Sequence, residues 1–181
     1  METSAAAKKS PQLDLRAYVS DVPDFPKPGI LFRDISPLLR QHFSETIAQL
    51  SGLLTDKEWA EIDSIGGVES RGFILAAGLA VVRGKGFVKI RKPGKLPGKV
   101  VKRSYGLEYG TDSLEMQPGS GRMLIVDDVL LATGGTLAAA AELAKESGHE
   151  VKGLLCLINL KFLNDFSWQG LKPRTLIDYE D

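Results

Sequence analysis

Cysteine, histidine and net charge are what this chain has least of, and each shortage excludes something. With Cys156 as the one cysteine among 181 residues, no intrachain disulfide can form. Its setting, Leu154-Leu155-Cys156-Leu157-Ile158, marks a small core side chain and not a reactive thiol. Such cysteine usage suits a reducing, cytoplasmic setting. Neither His42 nor His149 belongs to a recognisable base motif. No apolar run approaches the roughly 18 residues of a membrane-spanning helix, so no membrane partner is expected. Met1 to Ser10 lacks the apolar centre of a secretory signal, and residues 1–20 are expected to be a flexible tail. Repeats and interdomain linkers are lacking as well. With 43% apolar and 25% charged residues, the composition predicts one globular domain over 21–181.

The net charge is zero, 23 basic residues against 23 acidic, which disfavours an electrostatic grip on nucleic acid along the whole chain. That zero is an average. Arg83 to Arg103 holds nine Lys or Arg and no acid, so the rest of the chain carries minus nine. One segment is therefore a concentrated cationic patch, of a kind that fits a small polyanion better than an extended nucleic acid.

Apolar periodicity then orders the chain. Pro23, Pro26, Pro28 and Gly29 make a stiff irregular start. Phe43, Ile47, Leu50 and Leu54 recur at helical spacing. Ile62 to Ile65 reads as a short strand closed by a Gly66-Gly67 turn, Gly72 to Val82 as a buried helix, and Phe87 to Ile90 as the next strand. Lys92 to Gln117, rich in Gly and Pro, reads as a long excursion outside the central sheet, with a hairpin as one form it could take. Met123 to Val126 and Val151 to Leu160 are continuous apolar runs suited to parallel strands covered on both faces. Between them Thr136 to Ser147 is made of strong helix formers and stops at Gly148. Thr175 to Asp178 supplies an edge strand. This alternation predicts an α/β fold: a three-layer α/β/α domain with a mainly parallel central sheet.

The sharpest local signal runs from Met123 to Thr136. A buried strand delivers Asp127 and Asp128 to its carboxyl end, where open α/β sheets bind ligands. Then Ala132, Thr133, Gly134, Gly135 and Thr136 form a small-residue turn that opens a helix, with backbone N–H groups and hydroxyls able to meet an anion. Ordinary strand-end acids and helix caps account for each residue singly. Their combination points to phosphate binding. The turn lacks the lysine of a nucleotide-hydrolase loop, and no Gly-x-Gly-x-x-Gly follows a strand, so ATPase and dinucleotide readings fall. Two acids before a phosphate turn suit a ligand with both a phosphate and a sugar diol.

This segment resembles the signature of the type I phosphoribosyltransferase family, which binds 5-phosphoribosyl diphosphate. The resemblance implies that Asp127 and Asp128 hold the ribose hydroxyls, and that Ala132 to Thr136 hold the 5-phosphate. The family has three residues between the second acid and the Thr-Gly pair. Here Val129, Leu130, Leu131 and Ala132 make four, and a bulge would absorb the extra one.

Three further stretches resemble the adenine-using members of that family, and together the match spans about Val22 to Glu180. Phe25 to Ser36 resembles their base-binding hood (about 21–40). There Leu31, Phe32 and Arg33 would meet adenine, with selectivity coming largely from backbone groups near Leu31 and Arg33. On their own terms, Leu31 and Phe32 suit either a core strand or a sandwich around a flat heterocycle. Gly67 to Phe73 resembles the diphosphate-side loop, with Glu69, Ser70 and Arg71, whose guanidinium fork suits a diphosphate. Arg91 to Gly98 continues into Ser104 to Gly110, similar to the family's mobile catalytic loop (about 95–112). Arg91, Lys92, Lys95 and Tyr109 would face the leaving diphosphate. Glu108 would be the catalytic carboxylate that handles the proton at adenine N7.

The resemblance implies a purine salvage transfer from 5-phosphoribosyl diphosphate to adenine, giving AMP and diphosphate. It also implies Mg2+ held mainly through the substrate with no direct protein ligand, a homodimer, and no nucleic-acid partner. Two other readings are a 6-oxopurine transferase and a purine- or phosphoribosyl-diphosphate-sensing regulator of the same fold. The hood and the Leu-Glu-Tyr-Gly stretch disfavour the first. Some 20 residues before the match are too few for a DNA-binding module, which disfavours the second.

Overall fold

Pro23, Pro26, Pro28 and Gly29 bend the chain back on itself, and the strands on either side of them pair. β1 (Ser20–Pro23) and β2 (Leu31–Asp34) run antiparallel, with Asp21 opposite Arg33 and Val22 opposite Phe32. The Asp24 carboxylate secures the reversal by accepting the Gly29 N–H at 2.7 Å. The computed structural model describes residues 12–107, 110–130 and 134–181, which form two compact units divided between Thr46 and Ile47. This hairpin belongs to the first. A short 3-10 turn, Leu15–Tyr18, lies within the stretch expected to be a tail, where the Asp14 carboxylate caps it and Leu15 is buried. A capped turn with one apolar anchor supplies order that composition does not reveal. Helix α1 (Ser36–Ser51) begins well before Phe43 because Asp34 accepts both the N–H and the hydroxyl of Ser36, at 2.9 and 2.6 Å. It kinks at His42, where φ is −139°.

In the second unit, α2 (Asp56–Ala60) starts with a capping box between Thr55 and Glu58. Then comes β3 (Ser64–Val68), which contains Gly66 and Gly67 where a turn after Ile65 was expected. The two glycines are there for packing. A Cβ on Gly66 would stand 2.8 Å from Met123 Sδ, and one on Gly67 2.8 Å from Ala76 Cβ and 2.9 Å from Phe87 Cε2. Neighbouring elements approach β3 more closely than any side chain would permit.

Helix α3 (Arg71–Arg83) leads to β4 (Gly86–Ile90). The excursion after it is a hairpin of β5 (Val101–Leu107) and β6 (Gly110–Met116), a two-stranded sheet of its own. Then follow β7 (Gly121–Leu130), α4 (Gly135–Glu146), β8 (His149–Leu160) and β9 (Arg174–Tyr179). The central sheet has the order β4-β3-β7-β8-β9, with every pair parallel. The step from β3 to β4 and the step from β7 to β8 go in opposite directions, so crossovers of one hand place α3 and α4 on opposite faces. That is the three-layer arrangement expected from sequence.

The α4 face has a continuous core: Met123 and Ile125 of β7, Leu154 and Cys156 of β8, Leu137, Ala140, Leu143 and Ala144 of α4, and Leu114 and Met116 of β6. Each fully buried Leu there contributes about 2 kcal/mol. Through Leu114 and Met116 the hairpin is anchored on the helix that follows the acidic strand. Among the described residues no helix is long and apolar enough to cross a membrane.

Candidate active site

Strand order reverses between β3 and β7, with β4 to one side and β8 and β9 to the other. In open parallel sheets the crevice beyond the carboxyl ends at such a reversal is the natural ligand site. Glu69, Ser70 and Arg71 follow β3 there, Arg91 and Lys92 follow β4, and Asp127 and Asp128 lie near the end of β7. The Glu69–Ser70 peptide is cis, and Ser70 is exposed ahead of α3.

Acids and bases interlock around this crevice. Arg71 Nη2 reaches across the reversal to Asp128 Oδ2 at 2.5 Å. Glu69 gathers three neighbours. Its Oε1 accepts the Lys92 backbone N–H at 2.6 Å, its Oε2 accepts Arg91 Nε and Nη2 at 3.2 and 3.1 Å, and Lys95 Nζ lies 3.2 Å from Oε1. Burial alone would raise the Glu69 pKa. The Lys92 N–H and the Lys95 and Arg91 side chains outweigh it, and the carboxyl is held below its ordinary range. Arg91 also lies over the Phe73 ring, 5.7 Å from its centroid. The Lys92 ammonium pairs with Asp112, which likewise titrates below the ordinary range because Lys92 and the Ser113 N–H outweigh its burial. Gly94 N–H donates to Glu115 at 3.1 Å, fixing the loop between Lys92 and Lys95.

The cationic run is less concentrated than its sequence suggests. Arg91, Lys92 and Lys95 collect at the crevice, whereas Arg83 pairs with Asp56 and Arg103 with Glu146 elsewhere on the unit. Charge adjacency along the chain does not survive the alternation of strand and loop.

Asp127 differs from the other acids because it is only 7% exposed. Burial, and then the charge of neighbouring Asp128, push its pKa well above the ordinary carboxylate value. Its Oδ1 accepts the Asp128 N–H at 2.8 Å. A Cβ on Gly72 would stand 3.0 Å from the Val126 carbonyl oxygen and 3.3 Å from Asp127 Oδ1, so the first turn of α3 lies against this acid. Asp127 pairs with Cys156, Val129 with Ile158 and Leu130 with Asn159. That register is regular, so no bulge absorbs the extra residue before Leu130. The irregularity in this pair of strands lies between Met123 and Leu124, ahead of both acids. Beyond Leu130, Ala132 and Thr133 lie outside the described residues, as do Glu108 and Tyr109. Gly134, at φ +66°, Gly135 and Thr136 open α4. A Cβ on Gly134 would collide with the Phe166 ring at 2.3 Å, so only glycine fits this start.

The hood strand carries its expected residues differently. Arg33 is tolerated because it ion-pairs with Asp21 across the hairpin. Leu31 and Phe32, being adjacent on a strand, leave opposite faces. Phe32 packs edge-on against Phe25, ring centroids 5.0 Å apart, while Leu31 is 49% exposed. The hairpin itself therefore forms no sandwich from this pair.

Two residues at the crevice were not singled out from sequence. Tyr105 Oη donates to Asp112 Oδ2 at 3.3 Å and accepts from Thr136 Oγ1 at 3.4 Å. Both lie on the hairpin, opposite each other, a relation visible once the register is known. Carboxylate oxygens of Asp127 and Asp128 are hard donors suited to magnesium. Among the described residues no three His, Cys, Asp or Glu side chains converge to hold an ion by themselves. The two carboxylates fit an ion that shares oxygen ligands with a substrate.

The chain is 57% identical over 170 residues to the adenine phosphoribosyltransferase of Hydrogenovibrio crunogenus, a match covering 94% of this chain and 99% of that one. Among solved structures it is similar to adenine phosphoribosyltransferase from Thermoanaerobacter pseudethanolicus, with TM-score 0.82, 40% identity, and coverage of 91% of this chain and 98% of that chain. It is also similar to the Saccharomyces cerevisiae enzyme complexed with an imino-altritol bisphosphate and adenine, with TM-score 0.82, 38% identity, and coverage of 90% and 96%. No family model matches the chain.

Proposed function

The chain belongs to the adenine phosphoribosyltransferase family, and we propose that it transfers the 5-phosphoribosyl group of 5-phosphoribosyl diphosphate to adenine, forming AMP and diphosphate. The observation that carries this most is the facing of Arg71 and Asp128 across the strand reversal, with buried Asp127 next to Asp128 and the Arg91, Lys92 and Lys95 cations following β4. Acids suited to a diol and cations suited to a diphosphate thus border one crevice.

In the reaction, adenine N9 forms a bond to C1 of the ribose as the C1–oxygen bond breaks and its electron pair leaves with diphosphate. The proton lost from adenine at N7 passes to Glu108. Positive charge develops on the ribose, so rate depends on aligning the two reactants and neutralising the leaving group. Asp127 and Asp128 receive the ribose hydroxyls. Ala132, Thr133, Gly134, Gly135 and Thr136 receive the 5-phosphate, aided by the amino end of α4. Arg71, Arg91 and Lys95 meet the diphosphate by exchanging their present carboxylate partners for phosphate oxygens. Lys92 turns a further N–H to it while keeping Asp112, and Ser70 and Tyr109 join them. Glu69, an anion itself, acts on the diphosphate through the cations it aligns. In the hood, exposed Leu31 and the backbone on to Arg33 receive adenine, with Phe32 supporting the strand. Beside Asp127 and Asp128, magnesium would be held mainly through substrate oxygens and, when bound, would supply charge neutralisation at the diphosphate.

We further propose a cytoplasmic homodimer in which the part of residues 95–112 beyond the Tyr105–Asp112 pair closes over the reactants and excludes water. The decisive assay is AMP formation from adenine, 5-phosphoribosyl diphosphate and magnesium, with hypoxanthine and guanine as competing acceptors. Preference for either oxopurine would overturn the adenine assignment. Glu108→Gln should lower kcat by about a hundredfold or more while 5-phosphoribosyl diphosphate still binds, the loss typical of a missing acid–base group. Unchanged turnover would remove Glu108 from the proton transfer.

A further inference from the structure

Lys92 and Thr136 belong to separate parts of the crevice. Lys92 follows β4, on the side assigned to diphosphate, and Thr136 lies in the first turn of α4, assigned to the 5-phosphate. An unbroken series of hydrogen bonds joins them. Thr136 Oγ1 donates to Tyr105 Oη at 3.4 Å, Tyr105 Oη donates to Asp112 Oδ2 at 3.3 Å, and the Lys92 ammonium donates to that same Oδ2. The other Asp112 oxygen accepts the Ser113 N–H at 2.8 Å, which leaves the carboxylate little freedom to turn. Tyr105 and Asp112 are directly opposed across the β5–β6 hairpin, so strand pairing holds the two side chains side by side. The hairpin is in turn seated on α4 through Leu114 and Met116, the helix that carries Thr136.

A ligand with one phosphate at C5 and a diphosphate at C1 of a single ribose has nearly fixed spacing between its two anions. A site that meets both must fix the spacing of its own donors beforehand, or lose affinity to their reorganisation. We propose that Tyr105 and Asp112 are positioning residues that set the distance between Lys92 and Thr136, so that both ends of one phosphoribosyl diphosphate are met together. They act through Lys92 and Thr136 and touch no reacting atom. The proposal rests on the functional reading above.

Its signature is a selective loss. Tyr105→Phe keeps the ring and removes the hydroxyl, and Asp112→Asn keeps the shape and removes the charge. Each should weaken calorimetric binding of 5-phosphoribosyl diphosphate by about fivefold to tenfold, the range for one hydrogen bond in a partly exposed site. Binding of inorganic diphosphate alone and of AMP alone should change less than twofold, because each occupies one end of the span. The double variant should be no weaker than the weaker single one, since the pair acts as a unit. Equal weakening of all three ligands, or multiplicative losses in the double variant, would overturn the proposal by marking a merely structural role. So would unchanged 5-phosphoribosyl diphosphate binding. If Tyr105→Phe lowers the unfolding midpoint, Asp112→Asn decides the matter on a side chain that is 30% exposed. Absence of AMP formation by the unaltered protein would sink the functional reading separately, and the binding comparison would still stand or fall by itself.

Discussion

Glu69→Gln is the perturbation whose consequence can be worked out most fully. The Glu69 side chain is 7% exposed, and both of its oxygens accept: Oε1 from the Lys92 backbone, Oε2 from two nitrogens of Arg91. Glutamine has one acceptor oxygen. Whichever set it keeps, its NH2 group faces donors on the other side, and the charge that holds Lys95 is gone. Breaking a fully buried ion pair costs about 3 to 5 kcal/mol. Here Arg91 is 28% and Lys95 50% exposed, so water takes over part of their solvation. We therefore expect a loss of about 2 kcal/mol at pH 7, or about 5 °C in the unfolding midpoint for a chain of this length.

The pH dependence gives a second reading of the same contact. The Glu69 pKa is lowered on folding, so its stabilisation is present above the unfolded carboxylate pKa and fades as pH falls through the folded one. The gap between wild type and variant should close on acidification below about pH 4.3, the ordinary glutamate value. Urea unfolding of both proteins from pH 7 down to the acid limit of folding measures it. Equal stability at pH 7, or a gap that stays constant into acid, would refute the reasoning.

Two other substitutions test different parts of the fold. Gly67→Ala should destabilise by about 1 to 3 kcal/mol, since its Cβ would meet Ala76 and Phe87 inside van der Waals contact; a thermal midpoint unchanged within a degree would put Gly67 back in a turn. Asp127→Asn should stabilise the fold at pH 8 while weakening 5-phosphoribosyl diphosphate binding. Its raised pKa means that its share of stability is present below the unfolded value and lost as pH rises through the folded one. The advantage of the variant in urea midpoint should grow from pH 5 to pH 8, and a variant less stable at pH 8 would contradict the assigned direction.

Most of the second unit was legible in sequence because burial and periodicity coincide there. Met123 to Val126 and Leu154 to Ile158 are apolar throughout since helices or the hairpin cover both faces, and the acids at 127 and 128 break the apolar run although Asp127 stays buried. Local punctuation was less reliable. Gly66 and Gly67 look like a turn, yet their missing side chains serve close packing within β3. The site was legible as a set of charges and not as a set of pairs. Arg71 meets Asp128, and Arg91 meets Glu69, across separations in the chain that no local pattern encodes. Tyr105 and Asp112 escaped notice for the same reason, since their meaning depends on hairpin register.

The interlocked charges also bear on what the crevice ignores. Glu69 and Asp128 act as built-in counter-ions to Arg91, Lys95 and Arg71. A chloride or a single phosphate must part such a pair and can replace one contact of several. A ligand bearing many oxygens on one frame replaces them together, and its second and third contacts incur no new loss of translational freedom. Internal neutralisation thus works as a threshold against the simple anions that a solvated cationic patch would collect, and it rewards connectivity of charge over amount of charge.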